Sequence, residues 1–215
     1  MPQIWFIRHG ESDANIGLSS KDPASIALTA KGERQADLVR EVWPTAPSRI
    51  IYSPYSRALA TAQPTIKRFP SVTSEAWPVQ EFTYLSPANC IDTTPMQRLP
   101  WVEAYWKQND PHVVDGEGAE SFAQLLARIS QTFASFKALA PDDFCAVFTH
   151  GMYMNAVLLS VMTGFTKPTA ESMALFRLLT QTTPVPNGAI LKCTINEAGE
   201  VFISSLYTDH SETSV

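Results

Sequence analysis

Three apolar runs in this 215-residue sequence each lead into a basic side chain. "IWFIRHGE" ends in Arg8 and His9, "SRIIYSPYSR" runs on to Arg57, and "FCAVFTHG" ends in His150. A guanidinium offers paired donors that match the oxygens of a phosphate. A neutral imidazole is a competent nucleophile. Two such forks and two imidazoles at one point would trap a tetrahedral oxyanion. Gly10, directly after His9, is expected to leave room for the anion to approach the backbone.

The elements that must position these groups are legible as periodicity. Residues 4–7 form a continuously apolar run, as in a strand covered on both faces, and 48–54 and 144–151 read the same way. Residues 29–43 and 55–69 read as helices, the second with a kink at Pro64. The clearest helix is 118–140, with apolar residues at three- and four-residue steps and an S-x-x-Q capping box at Ser121 and Gln124. Residues 152–162 follow the third strand as a helix, and 188–195 with 201–207 read as a closing hairpin across "NEAGE". Strands alternating with helices predict a three-layer α/β/α domain spanning 1–215, with a mostly parallel central sheet. The carboxyl ends of such strands share one rim, which is where ligands bind. Helices opening near residues 55 and 151 would add backbone donors there. The stretch 82–118 has no strong period and is too long for an ordinary connection, so it is expected to be a lid or insertion.

Composition narrows the function. Sixteen basic and twenty-one acidic residues give a net charge of −5, which argues against a nucleic-acid or anionic-membrane partner. No apolar run approaches the roughly 20 residues of a membrane helix. The first residues show no leader pattern, and the cysteines are three, without CxxC spacing, so a reduced cytoplasmic protein is expected. No His, Asp or Glu spacing suggests a metal, and none of the pattern calls for a cofactor.

In order, "RHGES…N", "LTAKGERQA", "SPYSRALATA" and "FTHG" resemble the histidine phosphatase superfamily, in its phosphoglycerate-mutase-like branch. The resemblance implies that fold and implies that His9 is the nucleophile. Arg8, Arg57 and His150 would clamp the phosphoryl oxygens, and Asn15, at the Asn of the first motif, would add a hydrogen bond. The other nitrogen of His9 should donate to a fixed acceptor such as a backbone carbonyl. The family places a Glu after a further short strand; Glu81 in "WPVQEF" sits there as proton donor to the leaving oxygen, with Glu75 as its competitor. Many members follow this Glu with a Gly-aromatic-Glu-Gly turn, where this chain reads "EFTYLSPAN".

Glu11 is expected to orient an arginine or cap a helix, and His112 and His210 to lie on the surface. Trp101, Tyr105 and Trp106 are expected to pack rather than touch substrate. The expected activity is metal-independent hydrolysis of a small phosphomonoester through phosphohistidine, by a monomer or homodimer. Phosphoglycerate-mutase-type transfer and phospho-ligand binding without turnover are the alternatives.

Overall fold

A computed structural model describes residues 1–19, 22–165, 167–208 and 210. In chain order the elements are β1 (Gln3–Arg8), α1 (Ala30–Glu41), β2 (Arg49–Tyr52), α2 (Ser56–Arg68), β3 (Ser74–Ala76), α3 (Pro87–Cys90) and α4 (Pro95–Gln108). They continue with α5 (Phe122–Phe136), β4 (Phe144–Thr149), α6 (Gly151–Met162), α7 (Ala170–Thr182), β5 (Ile190–Ile195) and β6 (Val201–Tyr207). All six strands form one sheet in the order β3-β2-β4-β1-β5-β6. The first four of that order pair in parallel; β5 and β6 pair antiparallel and close the edge as the expected hairpin.

Alternation along β1 explains the layers. Ile4 and Phe6 join the core beneath α5, α6 and α7, while Trp5 and Ile7 face Val39, Trp43 and Ala62 from the α1–α2 side. Side chains covered on both faces explain why β1 and β4 read as unbroken apolar runs. Each fully buried Ile or Phe here contributes about 1.5–3 kcal/mol over an exposed one.

Helix ends follow their caps. The Ser121–Gln124 capping box forms, so α5 starts at Phe122 rather than at 118, and it stops at Phe136. Thr29 caps α1, which ends at Glu41. Helix α2 runs on through Pro64. The segment 82–118 is more regular than its sequence suggests, because Thr94 and Gln97 make a capping box that starts α4. Tyr105 is buried and Trp106 partly so, and both pack against Tyr84 and Phe82; Trp101 is exposed, so the trio is structural where it is buried.

His112 is exposed, but His210 is not a surface residue. Its ring stacks on Tyr207, and its Nε2 meets the Gly188 carbonyl at 2.8 Å. The rest of the expected frayed tail, 211–215, lies outside the described residues. No helix among the described residues is long and apolar enough to cross a membrane. All three cysteines are free and buried.

Candidate active site

Strand register assembles the site. Arg8 pairs with Thr149 across β1 and β4, and the next step is held by the His9 N–H on the Thr149 carbonyl at 3.0 Å. Tyr52 pairs with Phe148 across β2 and β4, and the Ser53 N–H then reaches the Phe148 carbonyl at 2.9 Å. Parallel pairing therefore brings residues 9, 53 and 150 to one level of the carboxyl-end rim. The rings of His9 and His150 are 5.1 Å apart.

The tautomer of His9 follows from its partners. A carbonyl can only accept, so Nδ1–H donates to the Gly10 carbonyl at 2.6 Å. The Nε–H of Arg57 can only donate, so Nε2 of His9 accepts it at 3.1 Å. Nε2 thus carries the lone pair. Burial holds the His9 ring well below the ordinary histidine pKa, and the charges of Arg57 and Arg8 push it the same way. Burial does the same to His150, helped by Arg57 and His9. Both rings are neutral at neutral pH.

The two arginines are braced by main chain, and His150 by a hydroxyl. Arg57 is buried, donates from Nη1 to the Pro23 carbonyl at 2.6 Å, and lies over the Tyr55 ring. The Nη1 of Arg8 donates to the Val185 carbonyl. Nε2 of His150 bonds the Ser53 hydroxyl at 2.8 Å. Among the described residues, Arg8 Nε and His150 Nδ1 are buried without a hydrogen-bond partner. Asn15 is exposed, and its Oδ1 accepts from Ser12 and Asn187.

The two competing glutamates separate. Glu75 on β3 pairs in register with Ile51 and bonds Arg49 at the opening end of β2, away from the rim. Glu81 lies at the rim, in the wall of a cavity it shares with Arg57. Its carboxylate accepts the N–H groups of Tyr153 at 3.1 Å and Met152 at 3.4 Å. Those two donors of α6 are therefore answered by Glu81. The first N–H of α2 is likewise taken, by the Ala24 carbonyl.

Gly10 also has a different reason from the one expected. A Cβ there would sit 2.3 Å from the Gly32 carbonyl oxygen. The glycine lets the start of α1 approach the strand end, rather than making room for an anion. Glu11 anchors the same junction, accepting from Thr29 Oγ1 at 2.9 Å and pairing with Lys31.

The sequence model of the histidine phosphatase superfamily, branch 1, matches residues 4–182. The chain belongs to this superfamily. A curated relative, described as a probable phosphoglycerate mutase GpmB of Yersinia enterocolitica, is 29% identical over 171 residues, covering 75% of each protein. Phosphoserine phosphatase of Entamoeba histolytica superposes with a TM-score of 0.74 at 21% identity, covering 98% of this chain and 100% of the other. The α-ribazole phosphatase of Shigella flexneri gives 0.74 at 18% identity over 96% of each. These superpositions show the fold.

In this member of the superfamily several bracing residues escape sequence reasoning. Asn187 donates to the His9 carbonyl at 3.0 Å from a loop 178 positions away, and the turn-like "PNG" around it was the only hint. Arg128 is buried on α5 and donates to the carbonyls of Pro78 and Gln80, both at 2.9 Å, just ahead of Glu81. Glu120 neutralises it through two bonds of 2.8 and 2.7 Å. A phase of 3.6 places Arg128 on the buried face of α5, which could have marked it. Among the described residues no cluster of His, Cys, Asp or Glu could hold a metal ion.

Proposed function

We propose that this chain hydrolyses phosphomonoesters by passing the phosphoryl group through Nε2 of His9. The observation that carries the reading is the fixed tautomer. Nδ1–H is held by the Gly10 carbonyl, so the lone pair of a neutral ring is presented at Nε2, beside Arg57. Buried polar atoms are rarely left unpaired; Arg8 Nε is a donor that a phosphate oxygen would answer, as would His150 Nδ1 in the tautomer whose Nε2 accepts from the Ser53 hydroxyl.

In the first step Nε2 forms a bond to phosphorus while the ester P–O bond breaks. The leaving oxygen takes its electron pair and a proton from the carboxyl of Glu81. Arg8, Arg57, His150 and Asn15 hold the non-bridging oxygens, where transition-state charge spreads. In the second step water attacks phosphorus, its proton passes to Glu81, and the N–P bond breaks, releasing phosphate. The likeness to GpmB supports a second reading, transfer back to a phosphoglycerate, which uses the same first step.

The two part at the acceptor. Turnover of phenyl phosphate in ¹⁸O-labelled water should release inorganic phosphate carrying one labelled oxygen. Preferential transfer to added 3-phosphoglycerate, with little free phosphate, would overturn hydrolysis in favour of the mutase.

A further inference from the structure

A cavity of about 360 Å³ opens beside Arg57 and Glu81, next to the proposed phosphoryl site. Its walls come from the loop after Glu81 and from α4. Phe82, Leu85, Pro95, Leu99 and Val102 are among its apolar lining residues. The residues Pro95, Leu99 and Val102 fall at i, i+4 and i+7, so one face of α4 is turned to the cavity.

Polar side chains are a minority of the lining. The Tyr55 hydroxyl and Thr83 Oγ1 bond each other at 3.1 Å. Besides Arg57 and Glu81, the charged residue of the lining is Arg98. Its guanidinium folds back onto the start of its own helix, donating to the Thr94 carbonyl at 3.3 Å and the Thr93 carbonyl at 3.0 Å. A sugar would meet few partners for its hydroxyls here, and beyond Arg57 a glycerate carboxylate would find in the lining only Arg98, which is drawn back onto its own helix. Burying such groups unpaired is costly. An apolar group gains from the same surface.

We infer that the preferred substrates are phosphomonoesters of apolar alcohols, alkyl or aryl, whose hydrocarbon part fills this cavity, and that Leu99 and Val102 on α4 set that preference. The inference rests on the phosphohydrolase reading above. Residues 82–118 are on this account the specificity element of the fold.

The test is a series of primary alkyl phosphates: ethyl, n-butyl, n-hexyl and cyclohexylmethyl. Their leaving oxygens are nearly equal in basicity, so differences in kcat/KM report burial. Each methylene that enters the cavity should raise kcat/KM roughly fourfold. Glycerol 3-phosphate and 3-phosphoglycerate should fall below ethyl phosphate. The variant Leu99→Lys, at a half-exposed position, should flatten the series and raise the relative rate on 3-phosphoglycerate. A flat or falling alkyl series, with ethyl phosphate still forming phosphohistidine, would overturn the leaving-group assignment and leave the hydrolase reading standing. No phosphoenzyme and no turnover with any ester would overturn both.

Discussion

Nε of Arg57 donates to Nε2 of His9 at 3.1 Å. The guanidinium therefore rests on the lone pair that must attack phosphorus. An arriving phosphate offers Arg57 a charged acceptor in place of a neutral one, and charge-assisted bonds are the stronger. On the proposed mechanism this exchange would free Nε2 when substrate binds and leave the arginine on the phosphoryl oxygens.

Arg57→Ala should lower kcat/KM by about 10²–10³, the loss typical of one transition-state donor, or about 3–4 kcal/mol. Arg57→Lys should recover little, because a lysine cannot reproduce the fork. Steady-state kinetics on phenyl phosphate would check this. A variant within threefold of the wild type would remove Arg57 from the clamp.

The two depressed histidines make folding stability depend on pH. Their folded-state pKa values lie well below the ordinary 6.5, so below that pH the unfolded chain binds protons that the folded chain refuses. Stability is then complete above about pH 6.5 and falls as pH drops, by about 1.4 kcal/mol per pH unit for each histidine. Urea unfolding between pH 7 and 5 should show this decline. His9→Asn should remove about half of the slope. An unchanged midpoint across that window would contradict neutral buried rings.

Glu81→Gln keeps the side-chain volume and removes the transferable proton. The burst of phosphohistidine formation should slow on the order of 10²–10⁴ with alkyl phosphates, the usual range for acid–base catalysis. With p-nitrophenyl phosphate the slowing should be far smaller, since that leaving group needs no proton. Rapid-quench measurements on both esters separate the cases. Equal losses would assign Glu81 to holding the start of α6, through Tyr153 and Met152, and not to proton transfer.

Gly10→Ala tests the packing of strand end against helix start. The added Cβ meets the Gly32 carbonyl oxygen at 2.3 Å, and both partners are backbone, so neither can swing aside. The variant should lose about 1–3 kcal/mol of stability or more. Urea unfolding at pH 7 would measure it, and a loss under about 0.5 kcal/mol, the ordinary surface value, would contradict the close approach.

The residues that end an apolar strand were readable in advance, because the same periodicity that marks β1 and β4 also marks their last residues. Arg8, His9 and His150 follow directly from it, and the "SPYSRA" frame after β2 leads to Arg57. Glu81 needed the family resemblance, since β3 is three residues long and too short to carry a pattern. Helix α4 was hidden by its prolines: Pro95 opens it and Pro100 lies inside it. Helix α7 fully buries only Met173 and Phe176, with Leu179 partly buried beyond them, so its core-facing stripe is short. The braces Asn187 and Arg128 were unreadable as such, because their partners are carbonyls, which every residue has, at sequence distances of 178, 50 and 48.

The central claim is that Nε2 of His9 carries the phosphoryl group. A millisecond pulse with ³²P-labelled phenyl phosphate, quenched in alkali, tests it directly. The wild-type chain should hold label that survives alkali and is lost in acid, the signature of a phosphoramidate, and peptide mapping should place it on His9. His9→Ala should hold none. Label of the same lability on His9→Ala, or on His150 in the wild type, would contradict the account.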